Sequence, residues 1–301
     1  MRKILFIINP VAGHGNGSNL IVVISKFMEK HSIEYTIKVS NKIGNLTTLT
    51  EWGCENQYTD IIAVGGDGSL IEALNGLNLE QNIRLGIIPA GTGNDFARVL
   101  NLSKDYETCL DIILNGVTKP VDLCEVNGQR FINICSCGID GEIILDTDRI
   151  KSKIRGSSAY ILCTIKALIS YQAKKVIIRI DGLELKREII IVAVGNGKYV
   201  GGGMKITANA EIDDGLLDVC IINKLSKFKL LTLFPTIFKG QHIHIKPTVE
   251  NFRGKNIQID ALQDRLLINA DGNLIGMTPA NMSITGKKVN FIYNPDKTEA
   301  L

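Results

Sequence analysis

The sequence predicts an α/β domain built on a parallel sheet, followed by a β-rich domain of antiparallel, sandwich-like type. Three observations lead there. Over roughly the first 120 residues, short apolar runs alternate with helical periodicity, and three of the runs end in a glycine-rich turn. After Asp122 that alternation stops and short strands dominate. Two helical segments interrupt the second part, and both fall within its basic stretches.

Taken in order, Lys3 to Ile8 is a continuous apolar run that enters a loop at Asn9-Pro10-Val11-Ala12-Gly13. Leu20 to Lys30 has helical spacing, Tyr35 to Val39 reads as a short strand, and Thr47 to Gln57 as a helix. Asp60 to Val64 is a buried strand closed by Gly65-Gly66, and Leu70 to Leu77 a helix. Leu85 to Ile88 is a further strand ending at Pro89-Ala90-Gly91, and Asp95 to Leu100 and Tyr106 to Leu114 read as helices. Beyond Asp122, strands are expected at Leu123 to Val126, Arg130 to Cys135, Lys175 to Ile180, Glu188 to Gly195, Leu217 to Ile222, Asn256 to Ala261, Leu266 to Ala270 and Met282 to Ile284. The interrupting helices are Ser157 to Tyr171 and Ser226 to Phe238, and Val289 to Tyr293 is a last apolar strand. The predicted domains are 1–122 and 123–288, with 289–301 returning toward the first.

Composition narrows the class. With 301 residues, 45% hydrophobic and 22% charged, two packed domains are expected. The seven cysteines form no CxxC and no disulfide framework, so they read as reduced, buried thiols of a cytosolic protein. No signal peptide is evident, and the apolar stretch Ala159 to Tyr171 falls short of the roughly 20 residues that span a bilayer. The expected location is therefore cytoplasmic. The net charge of +3 is uneven: Arg149 to Arg187 holds ten Lys/Arg against two Asp/Glu, and Lys224 to Lys255 seven against one. Such stretches are either a solvated face or a contact for anionic headgroups. Nucleic acid is not expected, because aromatics are few and not interleaved with the basic residues. Dimerisation stays open.

The chemistry gathers at three turns: Asn9 to Gly13, Gly65-Gly66-Asp67-Gly68-Ser69 and Gly91-Thr92-Gly93-Asn94-Asp95. In a parallel sheet, loops at the strand carboxyl ends converge on one crevice. Glycine lets backbone N–H groups approach a phosphate closely, and a helix N-terminus adds a favourable dipole. Ser69 and Thr92 supply hydroxyl donors, while Asp67 and Asp95 bring carboxylates suited to a hydrated Mg²⁺ on phosphates. Two other nucleotide motifs fail. There is no GxxxxGK[ST], and Gly13-His14-Gly15-Asn16-Gly17-Ser18 breaks the dinucleotide fingerprint at its last glycine.

Gly65 to Gly76 and Pro89 to Arg98 together resemble the diacylglycerol kinase catalytic-domain family, which includes bacterial lipid kinases and the sphingosine and ceramide kinases. The resemblance continues through Val121-Asp122, Gly138-Ile139-Asp140-Gly141-Glu142, Asn196 to Gly203, Asp213 to Asp218 and Ala270-Asp271-Gly272, nearly the whole chain. It implies an N-terminal phosphofructokinase-like α/β domain, a β-rich C-terminal domain and an active site in the cleft between them. It implies an ATP- and Mg²⁺-dependent lipid kinase, with diacylglycerol as acceptor and peripheral contact with an anionic membrane. By position, Asn9, Pro10, Gly13, Ser40, Gly65, Gly66, Asp67, Gly68, Ser69 and Thr92 match the family's ATP-binding residues. The Asp214 carboxylate, with backbone carbonyls near Glu211 and Leu216, matches a structural Mg²⁺ site.

One position departs. Where the family usually has Asp-Gly-Glu, this chain has Asp271-Gly272-Asn273, and an amide cannot take the acceptor's proton. The expectation is that Asp271 serves as the base, with Asp67 and Asp95 about the phosphates; Asp122 either joins them or caps the start of the second domain. An NAD-kinase-like or sugar-phosphate kinase and a catalytically impaired nucleotide- or lipid-binding regulator stay open as alternatives. The docking face expected from the basic runs comprises Arg149, Lys151, Lys153, Arg155, Lys224, Lys227 and Lys229.

Overall fold

A computed structural model describes residues 2–15, 17–150 and 157–295. The chain divides into two units, one of residues up to Val121 together with those from Lys287 onward, the other Asp122–Gly286.

The first unit alternates strand and helix: β1 (Ile4–Ile8), α1 (Ala12–Gly15), α2 (Gly17–Lys30), β2 (Tyr35–Val39), α3 (Asn45–Glu55), β3 (Asp60–Gly65), α4 (Asp67–Gly76), β4 (Arg84–Pro89), α5 (Asp95–Val99) and α6 (Tyr106–Asn115). The strands are parallel in the order β2-β1-β3-β4. Every residue of β1 and β3 is buried, as expected when helices cover both faces of a parallel sheet. At the amino end of β3 the buried Asp60 carboxylate pairs with Arg2 and Arg84, fixing the end of the sheet away from the glycine turns.

The second unit contains β5 (Val117–Val126) from Asp122 on, β6 (Gln129–Phe131), β7 (Ile134–Gly138), α7 (Ile139–Ile150), α8 (Ser157–Ser170), β8 (Lys174–Ile180), β9 (Leu183–Gly195), β10 (Leu217–Asn223), α9 (Lys227–Phe238), a 3₁₀ turn (Gln241–His244), β11 (Val249–Gly254), β12 (Asn256–Ala261), β13 (Leu267–Ala270), β14 (Asn273–Met277) and β15 (Ala280–Tyr293), the last as far as Gly286. Its pairings are antiparallel. The 13-residue β9 takes β8 along its first half and both β7 and β10 along its second. One aliphatic core lies among the strands, around Val176, Ile178, Val192, Val219 and Ile259. A second lies under the helices, where α7, α8 and α9 cover β7, β9 and β10. Residues 287–293 of β15 belong to the first unit and add a parallel strand beside β4.

The mixed parallel and β-rich fold class matches expectation. Helix α7 was not expected: Gly141 and the run Glu142-Ile143-Ile144-Leu145 fit strand as well as helix. The helix packs closely on β13 at this point, where a Cβ at Gly141 would lie 2.6 Å from the Leu267 side chain. Strands β11 and β14 were also missed. They are amphipathic or polar edge segments, and Gly276 of β14 has φ 144°. Met282 to Ile284 and Val289 to Tyr293 prove to be parts of a single 14-residue strand. All seven cysteines are free and buried. Among the described residues, no helix is long and apolar enough to cross a membrane.

Candidate functional site

In the first unit, the turns after β1, β3 and β4 meet at the carboxyl end of the sheet. Asn9 Nδ2 donates to Ser69 Oγ at 3.3 Å, joining the first turn to the second. The backbones of the second and third turns meet at two glycines: a Cβ on Gly91 would lie 2.3 Å from Gly66 Cα, and one on Gly66 would lie 3.0 Å from Gly91 Cα. Asp67 completes the junction. Its carboxylate accepts the N–H of Asp95 at 3.2 Å and that of Phe96 at 3.1 Å, capping α5 from the neighbouring loop. Asn94 holds the third turn from within. It sits at φ 52°, a left-handed position Asn tolerates, and bonds Gly91 N and O through its amide, each at 2.9 Å.

The result is a backbone-lined concavity. The N-terminus of α4 has no side-chain cap, and a Cβ on Gly68 would meet nothing within 4 Å. An uncapped helix N-terminus beside open glycine backbone favours an anion. Ser40 is buried at the end of β2, its N–H held by Ile8 O at 2.8 Å, while Thr92 is exposed at the lip. Burial pushes the Asp67 carboxyl above its ordinary range, against the backbone hydrogen bonds that lower it. Asp95 pairs with Arg98 at 3.2 Å, a contact no sequence pattern flagged.

The remaining expected residues lie in the second unit and are more occupied than anticipated. Asp122 accepts Gly215 N at 2.7 Å and so ties down the Asp213-Asp214-Gly215 turn. Asp214 pairs with Arg253 through one oxygen and accepts Leu216 N at 3.1 Å through the other, and Glu211 pairs with Lys198 at 3.4 Å. Arg253 also reaches Asp218 at 3.1 Å. A guanidinium of the chain itself thus lies on this turn, beside the one carboxylate that would join the carbonyls near Glu211 and Leu216 in holding a divalent ion. Among the described residues no group of three or more His, Cys, Asp or Glu could hold a metal.

Asp271 occupies the β13–β14 hairpin turn at φ 48°, followed by Gly272 at φ 84°, the pairing a tight two-residue hairpin requires. Its carboxylate accepts three backbone N–H groups: Ile132 at 2.8 Å, Asn133 at 3.1 Å and Ile134 at 2.8 Å. That is the engagement of a structural clamp. Asn273 is exposed beside it.

The second unit also contains a cavity that the sequence did not suggest. Its walls come from the inner faces of α8 and α9, including Leu168, Leu230, Leu233 and Ile237, and from Ile134 and Ile190 of the sheet. Polar groups reach it at few points, chiefly Ser136, Asp140 and Thr164.

A backbone-lined concavity on a parallel sheet, and an aliphatic cavity in the β-rich unit, are features that a phosphotransferase acting on an apolar acceptor would use. The comparisons agree. Residues 3–126 match the diacylglycerol kinase catalytic domain, and residues 133–293 match the YegS C-terminal NAD kinase beta sandwich-like domain. Diacylglycerol kinase of Bacillus subtilis (strain 168) is 29% identical over 304 residues, covering 100% of this chain and 99% of that one. Diacylglycerol kinase of Staphylococcus epidermidis is 31% identical over 283 residues, 93% of this chain and 89% of that one. A crystal structure from Bacillus anthracis str. Sterne aligns with a TM-score of 0.81 at 27% identity, covering 98% of both chains. A second, described as a diacylglycerol kinase from the same organism, has a TM-score of 0.73 at 25% identity, covering 98% of this chain and 97% of that one. The chain belongs to the diacylglycerol kinase family and, with it, is a lipid kinase.

Proposed function

We propose that this chain transfers the γ-phosphoryl group of ATP to the free hydroxyl of diacylglycerol, giving phosphatidic acid. The observation that carries the reading is the presence, in one chain, of an open backbone cradle for phosphates and a cavity walled almost wholly by aliphatic side chains. Asn9, Pro10, Gly13, Ser40, Gly65 to Ser69 and Thr92 receive the nucleotide. Phosphoryl transfer asks little covalent chemistry of the protein, so alignment and charge neutralisation dominate. Mg²⁺ would be held largely by the ATP phosphates and neutralise them, with few carboxylates needed from the chain. Asp67 acts by holding the second and third turns in register. The test is transfer of γ-labelled phosphate from ATP to diacylglycerol in mixed micelles, with NAD as a soluble competitor. Labelled phosphatidic acid is expected; labelling of NAD alone would replace this reading.

Gly91→Ala tests the cradle. The new methyl would collide with Gly66 Cα and with Asn94 Oδ1 at 2.8 Å, and backbone cannot yield cheaply. Overpacking of this kind costs about 1–3 kcal/mol. ATP affinity by calorimetry is expected to fall at least about tenfold, each tenfold being about 1.4 kcal/mol. Gly68→Ala, with open space around it, should leave the thermal midpoint nearly unchanged.

Contact with the membrane belongs to the same reading. Lys166 and Arg149 both pair with Asp146, Lys224 pairs with Glu188, and Lys227 donates to Tyr171 O. Lys151, Lys153 and Arg155 lie outside the described residues. More distinctive are outward apolar side chains on α8 and α9: Leu162 (52% exposed), Ile169 (57%) and Phe228 (77%). These same helices wall the cavity with their inner faces. Inserting one such side chain into acyl chains gains about 1.5–3 kcal/mol, more than the roughly 1 kcal/mol of a lysine at an anionic surface. Phe228→Ser with Leu162→Ser is therefore expected to weaken vesicle sedimentation by more than about tenfold. Raising salt should weaken it less. Unchanged sedimentation of the double variant would remove α8 and α9 from the contact.

A further inference from the structure

The carboxyl end of α9 is held by a buried histidine. His242 lies in the 3₁₀ turn that follows the helix and is fully buried. Its Nε2 lies 3.0 Å from Ile206 O and 3.7 Å from Cys220 Sγ of β10. A carbonyl oxygen only accepts, so Nε2 carries the ring proton and Nδ1 is a bare acceptor. Nδ1 has no hydrogen-bond partner among the described residues. Two more bonds tie the same corner. Lys205 N donates to Ile237 O at 3.1 Å, and Asn251 Nδ2 of β11 donates to Ile243 O at 3.1 Å. This corner is also a wall of the aliphatic cavity, which Met204, Ile206 and Ile237 all line. The imidazole thus bonds the backbone of one lining residue from the turn that ends the helix carrying others.

The packing requires a neutral ring. A protonated imidazole has two N–H donors and a full charge. The second donor would find no acceptor at Nδ1, and burial penalises the charge. The elements packed against the turn do little to offset this. On β10 Asp218 already pairs with Arg253, and on β11 Glu250 pairs with Arg187 and accepts from Asn223. The Cys220 thiol is pushed up to about 12 by burial and stays uncharged. The other titratable groups at this corner are basic: Lys205 before Ile206, Lys239 after α9, and His244 and Lys246 beyond His242. Lys227 and Lys229 lie at the opposite end of α9. Burial, with a smaller push from His244, holds the imidazole below its ordinary 6.5 against the Ile206 bond. The folded corner therefore binds the proton more weakly than the opened one. It is most firmly closed above about pH 6.5 and loosens as pH falls below that value.

We propose that His242 is a positioning residue for the cavity: while neutral it latches the turn after α9 to the Ile206 backbone and closes this corner of the wall, and on taking up a proton it lets the corner open. The inference rests on the function proposed above only for what the cavity receives.

Amide hydrogen exchange of the full chain, corrected for the intrinsic effect of pH, tests the latch without lipid or nucleotide. Protection of residues 203–208 and 236–249 is expected to fall about tenfold from about pH 7.5 to about pH 5.5, the proton uptake of an imidazole that titrates near 6.5 once released. Strands β1 and β3 should keep their protection. His242→Gln places an amide NH₂ where Nε2 stood and does not titrate, so it should keep the turn protected and flatten the dependence. Should that variant fold poorly, the wild type decides alone. In ¹⁵N spectra of the histidine-labelled chain, one of the four imidazoles should be in the Nε2–H form and uncharged down to about pH 6. Wild-type protection that ignores pH, an equal loss in β1 and β3, an undiminished loss in His242→Gln, or four imidazoles that all titrate at the ordinary value would each overturn the latch. No readout involves phosphoryl transfer, so failure of the latch and failure of the proposed kinase reaction are separate results.

Discussion

Asp67→Ala is expected to lower kcat/KM for phosphoryl transfer by about a hundredfold, the scale of a misplacement of about 1 Å at a reacting centre, while moving the thermal midpoint by only a few degrees. The two effects separate because of what Asp67 touches. Its oxygens hold the first N–H groups of α5 from the first residue of α4, and those bonds set the spacing between the second and third turns. Without them, the turns are joined only at their bases, by the Gly66–Gly91 contact and the Ala90 N–H bond to Gly65 O. The stability loss is small because the carboxylate carries its own burial penalty. Burial is the first cause of its raised pKa, and removing the side chain removes that penalty together with the bonds. The sign of the pH effect follows. The folded chain holds the Asp67 proton more tightly than the unfolded chain, whose carboxyl titrates near 3.8, so stability declines as pH climbs from about 4 through the raised value. Asp67→Asn should flatten that slope and retain one of the two bonds, with activity between wild type and alanine. Calorimetric melts across pH, beside steady-state kinetics, check both halves. A collapse of the melting temperature in Asp67→Ala would show that Asp67 supports the fold rather than the register of the turns.

The parts of the site legible in the sequence are those where backbone geometry dictates residue type. Gly66 and Gly91 could be read because nothing larger fits where two loops touch, and β1 and β3 because a doubly covered parallel strand must be apolar throughout. What could not be read depends on partners distant in the chain. The basic runs looked like an uncompensated positive face. Arg179, however, meets Asp260 from a neighbouring strand, Arg187 meets Glu250, and Lys224 meets Glu188. The Asp213-Asp214-Gly215 turn looked like a cation site, and Arg253, nearly forty residues on, supplies the positive charge. Asp140 stood in a recognisable motif, yet nothing local told that the residue would line an aliphatic cavity. That follows only once β7, β13 and the three helices have closed around it.

Asp271→Ala is expected to lower the melting temperature by about 10 °C, since three backbone N–H groups lose their acceptor and unmet buried donors cost about 1–3 kcal/mol each before relaxation. Activity should fall with it, because the turn is linked to the cavity: Gly272 N donates to Asn269 Oδ1 at 3.0 Å, and Asn269 Nδ2 holds Asp140. Asp271→Asn discriminates between clamp and base. The amide oxygen can keep the two bonds from Asn133 and Ile134, but its NH₂ then faces the Ile132 N–H. A clamp therefore predicts an intermediate loss of about 1–2 kcal/mol in stability, with transfer reduced in step. A general base predicts something different: a well-folded Asp271→Asn enzyme slowed by about 10²–10⁴-fold, because an amide cannot accept the proton. The geometry favours the clamp, since both carboxylate oxygens are already engaged by the backbone. Asn273→Glu adds an independent reading. The side chain is exposed, so the fold should tolerate the carboxylate, and a rise in kcat would place this side of the turn at the acceptor hydroxyl. If kcat is unchanged there and Asp271→Asn loses activity only as it loses stability, transfer proceeds without a carboxylate base from this hairpin, by alignment and charge neutralisation alone.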